Sequence, residues 1–194
     1  MAATPFLFGK LPTHGDFVTR GLSPAAERVW DDWASAEIAA AREALGDDFD
    51  AAHDASPPWV FVGGPGVLGD SWRCGAATAS IDSAGRRYLV VAGHEGLTPA
   101  EAAFTGFAGA MAAESALRRI LVDGLDVDAA VAAVEDSLAP PEALSAAAAA
   151  QACATTGVWW ACGDIIAPVA TDAPAPNFVL AALSRISALL KEAA

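Results

Sequence analysis

The sequence predicts an α+β fold, in which helices cover a central and mostly antiparallel sheet. Strand-like segments cluster in the middle of the chain, between residues 59 and 92, whereas helical periodicity marks both ends. The regular alternation of strands and helices that is typical of a parallel sheet does not occur. With 194 residues the chain has the length of one domain, so we expect a single domain over residues 1–194.

The first helix is predicted to begin at Ser23 and Pro24 and to end at Gly46. A serine hydroxyl caps unpaired helical amides, and proline is tolerated at the first helical position. Apolar residues then recur at helical spacing, which predicts a buried face. They are Trp30, Ala34, Ile38, Ala41 and Leu45, with Trp33 beside them. The acidic segment from Asp47 to Pro58 ends in two prolines, and we expect a loop there.

Three segments in the middle of the chain predict strands. They are Trp59 to Val62, Trp72 to Ser80 and Arg86 to Ala92. Between the last two lie Asp82 and Gly85, residue types that suit the backbone angles of a hairpin turn. We therefore expect these two strands to form a hairpin.

The second half of the chain predicts three helices and one more strand. Thr98 and Glu101 have capping-box spacing, which opens a helix that continues to about Leu121. A shorter helix is expected from Asp126 to about Leu138, followed by two prolines at 140 and 141 and an alanine-rich stretch. Residues 158–162 suit a buried strand. The closing amphipathic helix is expected from Pro176, with its stripe formed by Val179, Leu183, Ile186 and Leu190.

The charge balance argues against two classes of partner. The chain has 11 Lys and Arg against 24 Asp and Glu, a net charge of −13 that repels nucleic acid and anionic lipid. It also has no apolar run near the roughly 20 residues that a spanning helix needs, and its first residues lack the basic start of a secretory signal. We therefore expect a cytoplasmic protein without membrane insertion.

The cysteines and the uneven distribution of charge lead to two further predictions. Cys74, Cys153 and Cys162 lack CxxC spacing, which favours reduced, buried thiols. Between Ile120 and Ser184 there is no Lys or Arg, but there are eight acidic residues. This region is either a solvated face or a docking surface for a basic partner, because a patch of one sign steers association.

Several short motifs resemble catalytic signatures without the context that those need. Residues 64–69 match GxGxxG, but a strand and not a helix is expected next, so a tight turn is favoured over a dinucleotide site. Residues 69–72 resemble the nucleophile block of GDS-type hydrolases, yet no histidine follows His94 to act as base. No catalytic residue is predicted.

The three histidines leave one enzymatic alternative open. His14, His53 and His94 each lie within two residues of an acid, so a metal site of a small enzyme could be assembled from them in space. Their spacing places no two on one helical face, which favours surface histidines in loops. We predict no metal and no cofactor.

The N-terminal block FGKLPTHGDFVTRGL, residues 8–22, closely resembles that of the TagF family, accessory proteins of bacterial type VI secretion systems. Further blocks are similar in the same order over nearly the whole chain. They are residues 30–33, 58–61 with 65–66, 80–86, 158–160 and 174–178. The sequence departs from the family pattern at Ala79 and at Arg87 to Leu89, which affects details of the hairpin.

The resemblance implies a non-enzymatic, post-translational repressor of type VI secretion that binds the forkhead-associated scaffold protein of the system. The residues expected to be read by the partner are Lys10, Thr13, His14, Asp16 and Arg20, together with Asp82 and Arg86. The first five are expected to form an exposed polar loop held by the apolar anchors Leu11, Phe17 and Leu22. A structural alternative stays open, in which Asp16 caps backbone amides and Arg86 pairs with Asp82.

Overall fold

The computed structural model describes residues 3–66, 69–136, 158–162, 165–171 and 178–193. The strands are β1 (Thr4–Gly9), β2 (Val18–Arg20), β3 (Trp59–Gly63), β4 (Trp72–Ile81), β5 (Arg87–Leu97), β6 (Val158–Cys162) and β7 (Ile165–Thr171). The helices are α1 (Pro24–Leu45), α2 (Phe49–Asp54), α3 (Pro99–Asp123), α4 (Val127–Glu135) and α5 (Phe178–Glu192), with a 3-10 turn at Gly46–Asp48. The predicted α+β class is confirmed.

The described strands form one sheet in the order β2-β1-β5-β4-β3-β6-β7, and every neighbouring pair is antiparallel. The predicted hairpin is β4 and β5, paired from Trp72 with Leu97 to Ile81 with Arg87. Strand β3 pairs with β4 only from Ala77 backwards. The last four residues of β4 therefore extend beyond the first residue of β3.

Strands β1, β3, β4 and β5 are buried on both faces of the sheet. Helices α3 and α4 cover one face, while α1, α2 and α5 lie on the other. Side chains alternate along each strand, so Phe6 and Phe8 pack with Trp30 of α1, whereas Leu7 packs in the core that contains Leu117 of α3. Because each face has its own core, the strands are almost continuously apolar and lack polar alternation.

The capping residues act as the sequence predicts. Ser23 Oγ accepts from the amide of Ala26 at 3.2 Å, and α1 ends at Gly46. At α3 the Thr98 hydroxyl accepts from the Glu101 amide while the Glu101 carboxylate accepts from the Thr98 amide at 2.7 Å, which completes the capping box. Asp126 caps α4 in the same way as Ser23 caps α1.

Helix α5 docks on α1 through a buried carboxylate. Glu37 is 6% exposed, and its Oε2 accepts from the amide of Val179 at 2.8 Å, where the positive end of the α5 dipole lies. Val179 and Leu183 are buried, as predicted. Leu190, however, is 41% exposed, so the predicted stripe is wrong at its last position.

The loop expected between Asp47 and Pro58 is wrong over most of its length. The 3-10 turn and α2 occupy residues 46–54, and Phe49, Ala52 and His53 are buried. These three residues have the i, i+3, i+4 spacing of a helix, but acidic neighbours conceal it in the sequence. Strand β5 also continues to Leu97, five residues past its predicted end, and β1, β2 and β7 are not predicted from periodicity.

Three sequence motifs are placed by the fold. A strand and not a helix follows Gly69, so the GxGxxG match lacks the helix that a dinucleotide site needs, and the Gly66 amide donates to the Gly69 carbonyl at 2.8 Å. Cys74 is buried and carries no disulfide. The alanine-rich stretch with its two prolines and Cys153 lie outside the described residues. Within the described ranges, no helix combines the length and apolarity needed to cross a membrane.

Candidate interaction surface

The loop between β1 and β2, residues 10–17, folds against the β4–β5 turn. Gly9 ends β1 with a φ of +122°, and a Cβ at this position would lie 2.2 Å from the carbonyl oxygen of Leu89. Only glycine therefore permits this approach of β1 to β5. The next residue continues the contact, because the Lys10 amide donates to the same Leu89 carbonyl at 3.1 Å.

Lys10, Asp82 and Arg86 form an ion-paired cluster that we call the anchor. Lys10 Nζ lies 2.6 Å and Arg86 Nε 2.7 Å from Asp82 Oδ2. Asp82 Oδ1 accepts from the amides of Ala84 and Arg86 at 3.0 and 2.9 Å. These donors, Lys10 above all, hold the pKa of the Asp82 carboxyl far below its usual range.

The anchor corrects one part of the expected polar loop. Lys10 is 6% exposed, so the expectation that it belongs to an exposed loop is wrong, and Asp82, also expected to contact the partner, is 4% exposed. The pairing of Arg86 with Asp82, the structural alternative for these residues, is confirmed. The anchor also fixes the loop backbone, since Arg86 Nη2 donates to the Gly15 carbonyl and the Ser83 amide donates to the His14 carbonyl at 3.1 Å.

The outer group, which we call the rim, consists of Thr13, His14, Asp16 and Phe17 of the loop and of Arg20 at the end of β2, so Arg20 lies in a strand and not in the expected loop. Thr13, Asp16 and Arg20 are exposed and His14 is half-buried. Thr13 Oγ1 donates to the Leu125 carbonyl at 3.1 Å and accepts from His14 Nδ1 at 3.0 Å. Asp16 has no side-chain hydrogen bond or ion pair within the described residues. The rim therefore combines a backbone held in place with charged groups open to solvent.

Phe17 is not buried, although the sequence predicts that this apolar residue helps to hold the loop in place. It is 47% exposed, and its ring packs on Phe8 with centroids 6.0 Å apart and edge-on against Tyr88 at 4.9 Å. Lys10 Nζ lies 5.1 Å from its centroid. An aromatic side chain held in one orientation with half its surface open is typical of residues that dominate protein interfaces.

A second ion-pair network lies beside the anchor, and sequence reasoning misses it. Arg87 binds Asp54 through Nε and Nη2 at 2.8 and 2.7 Å and Asp50 through Nη1 at 2.9 Å. The hydrogen bonds from Arg87 lower the pKa of Asp54 to about 2. The sequence does carry a signal, because Asp50 and Asp54 are spaced one helical turn apart, but α2 itself is not predicted.

His53 and His94 lie far apart, and neither of them is a surface residue. His53 is buried in α2, where its Nε2 donates to the Tyr88 carbonyl at 2.8 Å, and His94 is buried in β5. The expectation of histidines in surface loops is wrong for both. Burial lowers the pKa of His94 to about 4. Tyr88 and His94 lie six residues apart on one strand, about 20 Å, so His53 and His94 cannot share a metal ion.

Within the described ranges, no group of three or more His, Cys, Asp or Glu side chains is placed to bind a metal ion. Five of the eight acids between Ile120 and Ser184 are described, and all five are exposed on the end of α3 and on α4. They are Asp123, Asp126, Asp128, Glu135 and Asp136. Thr13 reaches Leu125 between these helices, so the rim borders this acidic surface.

Comparison with known proteins assigns the fold to a secretion-associated family. Residues 7–140 match the model of the TagF N-terminal domain, described as type VI secretion system-associated. A solved structure, the crystal structure of PA0076 from Pseudomonas aeruginosa PAO1, is similar to this chain with a TM-score of 0.73 and 26% sequence identity. The match covers 91% of this chain and 93% of that one. No curated protein matches the chain.

Proposed function

The chain belongs to the TagF N-terminal domain family of type VI secretion-associated proteins, and from this premise we propose that it is a post-translational repressor of that secretion system. It acts in the cytoplasm without catalysis, by binding the forkhead-associated scaffold protein through the rim. The anchor holds the rim in the conformation that the partner recognises.

The observation that carries this proposal is the rigid presentation of Phe17 among charged residues. Phe17 is packed on Phe8 and Tyr88 yet remains 47% exposed, and Asp16 and Arg20 lie exposed near it in the sequence. An aromatic centre with polar neighbours of both signs is the composition of a protein-binding hot spot. Because the backbone is already held, binding costs little additional ordering.

The acidic α3–α4 surface extends the same proposal to electrostatics. It borders the rim at Leu125, and the chain as a whole carries a net charge of −13. A basic region on the scaffold would therefore be attracted to this side of the molecule before close contact forms. Raising the salt concentration should then reduce the association rate more than it changes the dissociation rate.

The proposal is tested by binding and by secretion. The purified chain and the purified forkhead-associated scaffold are mixed and separated by size-exclusion chromatography, and type VI secretion is measured in cells that overproduce the chain. We expect a stable complex and reduced secretion, both lost on the double substitution Asp16→Lys, Arg20→Glu. Normal secretion on overproduction, or turnover of a substrate that depends on one of the histidines, would overturn the proposal.

A further inference from the structure

The edge of β4 is uncovered at its end. Residues 78–81 pair with β5 on one side, and within the described residues no ladder pairs their other side, because β3 begins opposite Ala77. A cleft of about 360 Å³ lies here, and residues 78, 79, 80 and 81 all line it. Side chains of a strand alternate between its two faces, so four consecutive residues can line one cleft only when the strand edge faces it.

The chain's own β3 cannot extend along this edge. The two residues before Trp59 are Pro57 and Pro58, and Pro58 lines the cleft. Proline has no amide hydrogen, so this segment cannot donate the hydrogen bonds that would continue the β3–β4 ladder. Among the described residues, this edge therefore has no partner strand.

The walls of the cleft are polar on the α2 side and apolar on the α3 side. His53 and Asp54 of α2 line one side, and Leu121 and Val122 of α3 line the other. Val122 is 84% exposed, so its side chain is open to contact with a bound strand. Four residues of β4 provide a pairing length of about 13 Å.

The charge at one end of the cleft selects a basic residue. Helix α3 ends here, its last turn contains no basic residue, and Asp123 is exposed beside Val122. The helix dipole adds partial negative charge at this end. Arg118 also lines the cleft, but Glu114 holds its guanidinium at 2.7 Å.

We propose that the β4 edge at residues 78–81 binds an extended, basic segment of a partner protein as an added strand. The segment lies in line with β3 and antiparallel to β4, its backbone pairs with β4, and its apolar side chains contact Leu121 and Val122. A Lys or Arg of the segment lies at the C-terminal end of α3. This site uses no residue of the rim and shares only the acidic end of α3 with the proposed function, so variants of the rim and variants of the cleft distinguish the two proposals.

The test selects peptides that bind to the whole protein. A displayed library of linear twelve-residue peptides is selected against the immobilised chain, and the selected peptides are titrated by calorimetry against the wild type and two variants. Val122→Arg places a positive charge at the cleft. Met111→Arg is the matched control, because Met111 is also exposed on α3 but lies about 16 Å away along the helix.

We expect peptides with alternating apolar residues and at least one Lys or Arg. Their affinity should fall at least about tenfold on Val122→Arg and stay unchanged on Met111→Arg, and N-methylation of alternate peptide amides should abolish binding. Hydrogen exchange should slow at residues 78–81. The proposal is overturned if no peptide binds, if the two variants behave alike, or if N-methylation has no effect.

Discussion

Lys10 and Arg20 are both basic residues of one sequence motif, but Lys10 is buried against Asp82 whereas Arg20 lies in solvent. The same contrast separates Asp82, which accepts four hydrogen bonds, from the exposed Asp16. The anchor and the rim are therefore different in kind, although both are rich in charge. A charged motif contains residues that hold the loop and residues that a partner can reach, and only the first group should control stability.

The largest effect on stability is expected from removing Lys10. Lys10→Ala leaves the buried Asp82 carboxylate without its closest cation, although Arg86 and two amides remain, so unfolding should become easier by about 2–3 kcal/mol. Urea denaturation measures the change. Arg20→Ala is the control and should alter stability by less than about 0.5 kcal/mol. Equal losses in the two variants would remove the distinction between anchor and rim.

Acid unfolding should depend on Asp82. The pKa of Asp82 is lowered in the folded state, so its contribution is fully present above the unfolded pKa of about 4 and is lost as the pH falls further. Asp82→Asn should flatten the decline of stability below about pH 4, with the residual slope supplied by groups such as Asp54. The prediction is checked by measuring the free energy of unfolding of both proteins at several pH values across this range. A decline as steep in Asp82→Asn as in the wild type would contradict the account.

Phe17→Ala should lower both the stability of the fold and the affinity for the scaffold. Loss of the ring contacts with Phe8 and Tyr88 should lower stability by about 1 kcal/mol. Binding to the scaffold should fall by more than about tenfold, because the exposed half of the ring is proposed to contact the partner. Phe17→Leu keeps apolar area without the aromatic edge. Its stability and its affinity for the scaffold should therefore lie between those of the wild type and those of Phe17→Ala. A full-strength complex with Phe17→Ala would exclude this side chain from the interface.

The smallest effect is expected from Thr13→Val. This change keeps the shape of the side chain and removes the hydrogen bond from Oγ1 to the Leu125 carbonyl, which is near solvent. The loss should be about 0.5–1 kcal/mol, visible as a small decrease in melting temperature. A loss of stability above about 2 kcal/mol would show that the rim also contributes substantially to the stability of the fold.

Local signals in the sequence predict much of the fold. The caps at Ser23 and Thr98 and the turn between Asp82 and Gly85 act within a few residues, so their outcome does not depend on distant contacts. Helix α2 and the end of β5 are missed because their burial comes from tertiary packing. Polar residues such as His53 and His94 are buried there, and sequence alone does not show what covers them.

The candidate site is predicted only as a block of residues. The resemblance identifies the motif from Lys10 to Arg20, but it does not separate Lys10 from Arg20, because burial of Lys10 depends on Asp82, 72 residues away. Phe17 shows the opposite error, since an apolar residue between polar ones is expected to be buried. Its ring packs on the outside of Phe8 and Tyr88, which are themselves buried, so about half of the Phe17 side chain stays exposed.

The central claim is that the rim acts by contact, and the most direct measurement is a calorimetric titration of the forkhead-associated scaffold with the wild type and with the Asp16→Lys, Arg20→Glu variant. We expect the variant to bind at least about tenfold more weakly while its thermal melt stays unchanged. Unchanged affinity, or a loss of affinity that is matched by a loss of folding, would contradict the claim.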